Sequence, residues 1–394
     1  MATVPTILTI PSAYKDGYYG IVYNVLPQNN SKVLFYQQSG NATRVNKNGV
    51  IETNGSNLPR LDYTNSTCPS LLLEPQRTNS IDYSESLSTW IPNGASAIDS
   101  QETSPDGSVN ASKVTSTANL WRIANVINQP SGISITFSAY AKLDPLSTSK
   151  GVILESSRGA GGTVYAFFNL ETETITSNLY TNAFIKNIGN GWYRVGGTYT
   201  TNGTAQVNYL YPNNVYGVAG SAFIWGAQAE VGIYASSYIK TIGFNSTRNI
   251  ESCFSPTLTN EMNGSKSSFF IDVLAFKETS TISLTTGNTT GISINFDPDV
   301  NQIVIYGSGL LYFIPVDYSQ RIKIGISFEN NNFKIYYNGV LSAIDTSVTY
   351  PTTLNSIKFS EPTNGLKFQG NLYDLRFYNN VILTQAELIE LTTI

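Results

Sequence analysis

The sequence contains no histidine, and only 13% of its 394 residues are charged. Histidine is the commonest general base and the commonest metal ligand in proteins, so its absence excludes a Ser-His-Asp triad and a histidine-bound zinc ion. The only cysteines, Cys68 and Cys253, are too few and too far apart for a cysteine-based zinc site within one chain. We expect two free, buried thiols; the alternative is a single bridge or a contact at a domain joint.

Charge is sparse in both signs. The net charge is -4 and there is no long basic run, so the clustered cations that bind phosphate are missing and no nucleic-acid partner is expected. No apolar run approaches the roughly 18 residues of a membrane span, and the first residues lack a signal-peptide pattern. We therefore expect synthesis in a cytoplasm and no membrane insertion. Ser, Thr, Asn, Gly and Tyr must cover the surface, which suits dense assemblies and polar ligands such as sugars.

The regular pattern that is present has a period of two, which is typical of β-strands. Residues 133–141 and 322–328 alternate apolar with small or polar side chains. Such segments recur every ~8–12 residues, with Gly, Asn and Pro between them. We predict an all-β fold, in which two antiparallel β-sandwiches (jelly rolls) follow an extended N-terminal arm in tandem.

Composition suggests four regions. Residues 1–67, rich in Pro, Asn and Tyr, are predicted to form an attachment and oligomerisation arm with a hairpin at Asn48-Gly49. Residues 68–241 form the first jelly roll, 242–265 a polar linker and 266–394 the second sandwich. In this last region Asn338-Gly339 predicts a tight turn, and Thr384-Gln385-Ala386-Glu387 is a capping box that starts a short final helix.

Several ordered motifs carry a resemblance to a known class of proteins. They are Leu71-Leu72-Leu73-Glu74-Pro75-Gln76-Arg77-Thr78-Asn79, Gly191-Trp192-Tyr193-Arg194-Val195 and Phe223-Ile224-Trp225-Gly226-Ala227-Gln228-Ala229-Glu230. This series resembles the carbohydrate-binding-module-like jelly rolls of bacteriophage tail, fibre and capsid-decorating proteins. Residues 335–340 and 368–378 resemble the concanavalin A/laminin-G-like sandwich.

The resemblance implies a structural protein of a bacteriophage virion, made in the host bacterial cytoplasm. It would be displayed on the particle surface as a head fibre or capsid decoration, contact other virion proteins, and aid adhesion to glycans. The alternative is a receptor-binding tail fibre protein that recognises host surface polysaccharide. A third candidate, a polysaccharide depolymerase, is disfavoured because the sequence has no long β-helix repeats.

The resemblance also implies a structural calcium ion, because jelly-roll modules of this type often hold one. Calcium takes oxygen ligands, usually including two or more carboxylates. The candidate ligands are Glu74, near the start of the first sandwich, and Glu230, in its last strand. The alternative is that Glu74 pairs with Arg77 or Arg194 and no metal binds. No other cofactor is expected.

Sugar binding needs aromatic side chains that stack on a pyranose ring beside polar groups. The candidate glycan-binding residues are Trp121, Tyr180, Tyr209 and Tyr211, with Arg122 and Tyr216 expected on the same face. The alternative role for each tyrosine is packing or an oligomer contact. Glu171 and Glu173 alternate along one strand as a glycosidase pair would, but Thr172 and Thr174 indicate a solvated edge. We therefore predict that the protein is not an enzyme.

Oligomerisation is expected from the aromatic residues of the arm, which are Tyr14, Tyr18, Tyr19, Tyr23, Phe35 and Tyr36. Leaving a large apolar side chain in water costs ~1.5–3 kcal/mol. A neighbouring subunit or the capsid surface would cover them, and closed rotational symmetry is the usual arrangement of identical chains. We predict a homo-oligomer, with a trimer favoured by analogy with phage fibres.

Overall fold

The computed structural model describes residues 3–11, 21–23, 33–64, 66–117, 122–363 and 365–394, with backbone alone at 21–23 and 33. The first sixteen strands are β1 (Ile7–Thr9), β2 (Ile21–Tyr23), β3 (Val33–Gln37), β4 (Ala42–Val45), β5 (Ile51–Asn54), β6 (Leu61–Asp62), β7 (Ser70–Leu73), β8 (Arg77–Asn79), β9 (Ile91–Asn93), β10 (Ala95–Thr103), β11 (Val109–Ser116), β12 (Arg122–Asn128), β13 (Ser134–Leu143), β14 (Gly151–Ser157), β15 (Thr163–Asn169) and β16 (Thr174–Thr176).

The remaining strands are β17 (Thr181–Gly189), β18 (Trp192–Thr200), β19 (Ala205–Tyr211), β20 (Gly220–Val231), β21 (Ser246–Arg248), β22 (Ser252–Phe254), β23 (Lys266–Ala275), β24 (Ser280–Thr286), β25 (Thr289–Asp297), β26 (Gln302–Gly307), β27 (Leu310–Pro315), β28 (Ile322–Glu329), β29 (Asn332–Tyr337), β30 (Val340–Asp345), β31 (Ser356–Lys358) and β32 (Gly370–Asn379). The helices are a 3-10 turn at Leu87–Thr89, α1 (Thr259–Met262) and α2 (Gln385–Thr392). No helix in the described part of the chain is long and apolar enough to cross a membrane.

The chain forms two compact units. Unit 1 contains Met1–Gly40, Asn54–Pro75 and Asn249–Ile394, and unit 2 contains Asn41–Thr53 and Gln76–Arg248. In each unit two antiparallel sheets enclose one apolar core, and this confirms the predicted all-β fold with two antiparallel sandwiches.

Unit 1 has two eight-stranded sheets. One has the order β30-β29-β28-β23-β32-β7-β6, with β1 also paired to β32, and the other has the order β2-β3-β22-β31-β24-β25-β26-β27. Alternate residues of each sheet point into a shared core, for example Phe269 and Ile271 from β23 and Ile292 and Ile294 from β25. Because strands from all three segments contribute, the three segments fold as one body.

Unit 2 has two six-stranded sheets, with the orders β10-β11-β20-β13-β18-β17 and β16-β15-β14-β19-β12-β9. Its main core lies between them and includes Phe137 and Ile224 from the first sheet and Leu154 and Leu210 from the second. A second apolar cluster covers the other face of the first sheet. There Trp225, Tyr140 and Tyr238 pack on Ile51 of the β4–β5 hairpin. The central strands of the first sheet, β11, β20, β13 and β18, are thus covered on both faces, and the second sheet keeps one outer face.

These units divide the chain differently from the predicted regions. Residues 1–67, expected as a separate arm, are split between both units, because Leu34 and Tyr36 pack into the core of unit 1 whereas the hairpin packs on unit 2. Tyr36 is therefore covered by its own chain and needs no neighbouring subunit. Tyr14, Tyr18 and Tyr19 lie outside the described residues. The expected linker 242–265 supplies β21 to unit 2 and β22 and α1 to unit 1.

Three local predictions are confirmed. The Asn48-Gly49 hairpin joins β4 to β5, and Gly49 has a φ of 75° that favours glycine. Asn338 and Gly339 both have positive φ at the turn between β29 and β30. Helix α2 begins with the predicted capping box, in which Thr384 and Glu387 exchange hydrogen bonds.

Candidate functional site

The outer face of the second sheet of unit 2 carries a cross-strand row of chemically distinctive side chains. In β14, Val152 and Leu154 point into the core, so Glu155 points outward. Glu155 is paired in register with Tyr165 of β15 on one side and with Tyr209 of β19 on the other. These three side chains therefore lie next to one another across three neighbouring strands.

A second row runs beside the first. Ile153 of β14 is in register with Phe167 of β15 and with Tyr211 of β19. The ring of Tyr216, from the loop between β19 and β20, packs edge-on against Phe167 at a centroid distance of 4.9 Å and against Tyr211 at 5.3 Å. We call the set Arg122, Glu155, Tyr165, Phe167, Tyr209, Tyr211 and Tyr216 the aromatic face.

Glu155 is the polar centre of the aromatic face. Its carboxylate accepts hydrogen bonds from Arg122 at 2.7 Å, from the Tyr211 hydroxyl at 2.8 Å and from the Tyr216 hydroxyl at 2.9 Å. Burial and the negative charge of Glu155 raise the pKa values of both tyrosines above the ordinary value of a phenol. Both hydroxyls consequently stay protonated and continue to donate to Glu155.

Arg122 links this polar centre to the neighbouring aromatic ring. Its guanidinium lies 3.5 Å from the centroid of the Tyr209 ring, and one of its amino groups is 2.5 Å from the Tyr211 hydroxyl oxygen. Burial lowers the pKa of Arg122, but Tyr211 and Glu155 outweigh it and raise that pKa. The ion pair of Arg122 and Glu155 is thus held in a fixed position, and its two charges cancel.

The aromatic face combines half-exposed rings with fixed polar groups. Tyr165, Phe167, Tyr209 and Tyr216 are half-buried, so each presents part of its ring to solvent while the rest is packed. Rigid rings of this kind can stack on the apolar C–H face of a sugar, and neighbouring polar groups can bond its hydroxyls. The arrangement is suited to non-covalent binding of a ligand with one apolar and several polar edges.

The structure places the predicted glycan-binding residues in different surroundings. Tyr209 and Tyr211 lie on the aromatic face, together with the expected Arg122 and Tyr216. Tyr211 is buried, however, so its hydroxyl rather than its ring faces the site. Trp121 lies outside the described residues.

Tyr180 does not belong to the site. It is only 4% exposed and lies in the main core of unit 2, where its hydroxyl is 2.7 Å from the Ser156 hydroxyl. Its ring packs on Gly197, at which a β-carbon would come within 2.6 Å. The prediction that Tyr180 contacts a sugar is therefore wrong, because no face of its ring reaches solvent.

Sequence reasoning missed Glu155, Tyr165 and Phe167 as site residues. The alternation Tyr165-Ala166-Phe167-Phe168 does indicate that Tyr165 and Phe167 share one face of a strand. It does not reveal that β14 lies between β15 and β19, because strand order depends on long-range pairing. Only that order brings Glu155 beside Tyr165 and Tyr209.

The two proposed calcium ligands lie in different units and are bound to protein groups. Glu74, in unit 1, receives a hydrogen bond from Arg60 at 2.7 Å, whereas the metal-free alternative drawn from the sequence names Arg77 or Arg194 as its partner. Glu230, in unit 2, accepts bonds from Gln228 and from the backbone and hydroxyl of Ser236, and Arg77 lies 3.8 Å away.

This donor set does not fit a calcium ion. Each carboxylate faces a guanidinium, which would repel a cation from the same oxygens. Across the part of the chain that the structure describes, no group of three or more Cys, Asp and Glu side chains is arranged to hold a metal.

The alternating carboxylates Glu171 and Glu173 are both solvent-exposed. Glu171 pairs with Lys150 at 2.9 Å, and Glu173 accepts a hydrogen bond from Asn187 at 2.9 Å. Both carboxylates therefore lie at a solvated edge, as the neighbouring Thr172 and Thr174 predict.

Comparisons with known proteins return structures alone, since no family model and no curated protein matches the sequence. Domain 4 of a GH43 extracellular arabinanase from Geobacillus stearothermophilus, in complex with arabinotriose, is 19% identical over 41% of this chain and 81% of that one, with a TM-score of 0.29. The N-terminal tandem CBM22 domain of Xyn10C from Paenibacillus barcinonensis is 10% identical over 76% and 98%, with a TM-score of 0.27. Trypanosoma rangeli sialidase is 9% identical over 91% and 76%, with a TM-score of 0.29. Similarities of this size assign no activity to this chain.

Proposed function

We propose that this chain is a structural protein of a bacteriophage virion surface that binds glycans without cleaving them. The observation that carries the binding role is the aromatic face, where Tyr165 and Tyr209 flank a Glu155 carboxylate already bonded to Arg122. The exposed parts of these half-buried rings supply stacking surface, although Arg122 already covers one face of Tyr209. The polar centre supplies donors and acceptors beside the rings.

The charge of the aromatic face favours a neutral sugar. Within its described residues, the positive charge of Arg122 is balanced by the negative charge of Glu155 at 2.7 Å. An anionic glycan would have to compete with Glu155 for the guanidinium and would gain little net attraction. A neutral hexose or pentose chain meets no such competition.

The same geometry supports a non-catalytic role. Most enzymes that hydrolyse a glycosidic bond use two carboxyl groups that flank the scissile bond, one of them free to give a proton. Glu155 accepts hydrogen bonds from Arg122, Tyr211 and Tyr216, so both of its carboxylate oxygens are already engaged, and the aromatic face contains no second carboxyl group. Glu155 is therefore suited to orient a ligand and poorly suited to act as a general acid.

The virion role rests on the sequence. The motifs from Leu71 to Glu230 resemble phage jelly-roll modules, and a surface of Ser, Thr, Asn and Tyr suits a dense particle. We place the protein on the particle as a head fibre or capsid decoration, as a homo-oligomer in contact with other virion proteins. A receptor-binding tail fibre protein is the second candidate, because the aromatic face would serve host recognition equally well.

A binding experiment tests the glycan role. Purified protein is titrated against neutral and acidic polysaccharides of bacterial hosts, and the retained fraction is measured by affinity electrophoresis. Tyr165→Ala and Tyr209→Ala should each weaken binding at least tenfold. Tyr83→Ala, at a half-exposed tyrosine elsewhere in unit 2, is the matched control and should bind as the wild type does. Retained binding in both aromatic-face variants would overturn the assignment.

A second experiment tests the location. Electron microscopy of particles labelled with an antibody against unit 2 should mark the head surface. Label on the tail would favour the tail fibre alternative, and unlabelled particles would contradict both.

A further inference from the structure

Most strands at the ends of the sheets carry features that block further pairing. In unit 2, β10 contains Asp99 and Glu102 and has register shifts, and β17 contains Lys186 and is also irregular. Its other two end strands, β9 and β16, have three residues each, and β9 includes Pro92. Charges, irregular register, proline and short length are the usual means by which soluble proteins prevent edge-to-edge association.

Unit 1 follows the same rule at four of the five edge strands in its described residues. Strand β30 has a register shift and ends in Asp345, β6 has two residues, and β1 and β2 have three each. The exception within the described residues is β27, whose sequence is Leu310-Leu311-Tyr312-Phe313-Ile314-Pro315. It has six residues, no charge and an unbroken register with β26, and its one proline, Pro315, is the last residue and lies outside the stretch 310–314.

The outward side chains of β27 are apolar and exposed. Leu311 is 62% exposed and Phe313 is 58% exposed. Their register partners in β26, Tyr306 and Val304, are half-buried and extend the apolar area over a second strand. A regular, uncharged, apolar edge strand is a template for another strand.

We propose that β27 pairs antiparallel with β27 of a second copy of this chain, so that the sheet continues across a twofold axis. With the axis at Tyr312, Leu311 of each chain faces Phe313 of the other on the outer face. On the inner face Leu310 faces Ile314. Every cross-strand pair is then apolar on both sides, and no like charges meet.

The strand is already ordered for this pairing. The Tyr312 ring stacks on Phe333 at a centroid distance of 5.8 Å, and its hydroxyl donates to Asp345 at 2.6 Å. These contacts fix the centre of β27 from its inner side, so that little conformational freedom remains to be lost on association. A charged partner would find no complementary charge within β27, whereas a second copy matches it at every position.

The test compares molar masses by sedimentation velocity at micromolar concentration. The double variant Leu311→Lys/Phe313→Lys places like charges together across the proposed axis. The matched control, Val340→Lys/Ile344→Lys, changes two residues that are 65% and 53% exposed on β30 of the same unit. We expect the wild type and the control to have twice the mass of the β27 variant. Equal masses for all three proteins, or halving of the control as well, would overturn the proposal.

A second measurement needs no substitution. Amide hydrogen exchange of residues 310–314 in the wild-type protein should slow as protein concentration rises, since pairing protects the edge amides. Exchange that does not depend on concentration would contradict the proposal even if the lysine variant failed to fold.

Discussion

Arg60 and Glu251 form a two-pronged ion pair in the interior of unit 1. Nε of Arg60 lies 2.6 Å from Oε1 of Glu251, a second bond joins the terminal nitrogen to Oε2, and neither side chain reaches solvent. Arg60 also binds Glu74, and Tyr36 donates to Glu251. The cluster thereby joins residues from all three chain segments of unit 1. Burial lowers the pKa of Arg60, but the two carboxylates outweigh it and raise that pKa.

Replacing Arg60 by methionine should destabilise unit 1 by about 3–5 kcal/mol, because it leaves two buried carboxylates without their cation. The free energy of unfolding from urea titration measures the effect. Lys150→Met, which breaks the exposed pair with Glu171, is the control and should cost less than about 1 kcal/mol. A similar loss in both variants would contradict the structural role of the cluster.

Alanine substitutions at Tyr180 and Tyr209 should affect different properties, the stability of the fold at Tyr180 and glycan binding at Tyr209. Tyr180→Ala removes a core ring and should cost about 3–5 kcal/mol of unfolding free energy. Tyr209→Ala removes a half-exposed ring and should change glycan binding with a much smaller effect on stability. Thermal denaturation and affinity electrophoresis of the two variants measure both quantities. A stable Tyr180→Ala protein with reduced binding would reverse our assignment of the two residues.

Glu387 gives the end of unit 1 a defined acid sensitivity. Hydrogen bonds from Thr3 and from Thr384 lower the pKa of Glu387 from 4.5 to about 2. A carboxyl whose pKa is lower in the folded state stabilises the fold above its unfolded pKa, and this contribution is lost as pH falls through the folded pKa. The wild type should therefore be more stable than Glu387→Gln above about pH 4.5, and the difference should vanish towards pH 2. Urea titrations across this range measure it, with Glu390→Gln as the control for the substitution; a pH-independent difference would contradict the assignment.

The two thiols should react very differently. Both cysteines are free, but Cys68 is exposed and Cys253 is buried in the core of unit 1, so the expectation of two buried thiols is wrong for Cys68. Burial, with a smaller contribution from Glu251, raises the pKa of Cys253 and disfavours its reactive thiolate. A disulfide reagent should label one thiol per native chain and two in denaturant. Labelling of both in the native state would show that the core opens readily.

A fragment of residues 266–394 should not fold as a stable unit. The sequence predicts an independent sandwich there, but the core of unit 1 also contains Ile7, Leu34, Tyr36, Leu71, Leu73, Cys253, Leu258 and Met262. Removing these residues exposes the apolar side chains that they cover. Calorimetry of the fragment should show no cooperative transition, and a sharp one would restore the predicted boundary.

The strands that sequence predicts well are those with one face in a core. The predicted segments 133–141 and 322–328 correspond to β13 and β28, where core residues such as Phe137 and Ile324 alternate with others. Strands β10 and β17 were not predicted, because edge strands with bulges need no regular alternation. The aromatic face was predicted in part for a related reason. Residue type identifies Tyr209 and Arg122, but only the pairing of distant strands brings Glu155 to them.

The pairing of β1 with β32 has a mechanical consequence. Ile7 lies opposite Phe377 and Thr9 opposite Leu375, so the two strands run antiparallel close to both ends of unit 1. A force that pulls residue 3 away from α2 would separate the two strands from one end. The backbone hydrogen bonds between them would then break one after another rather than together. Such peeling needs less force than shearing a whole strand at once. Unit 2 begins at Asn41, beyond both β1 and β3, so it would bear this tension only after β1 had left β32 and β3 had left β22. The unit that holds the aromatic face is thereby shielded from a pull on residue 3 until both strands have separated.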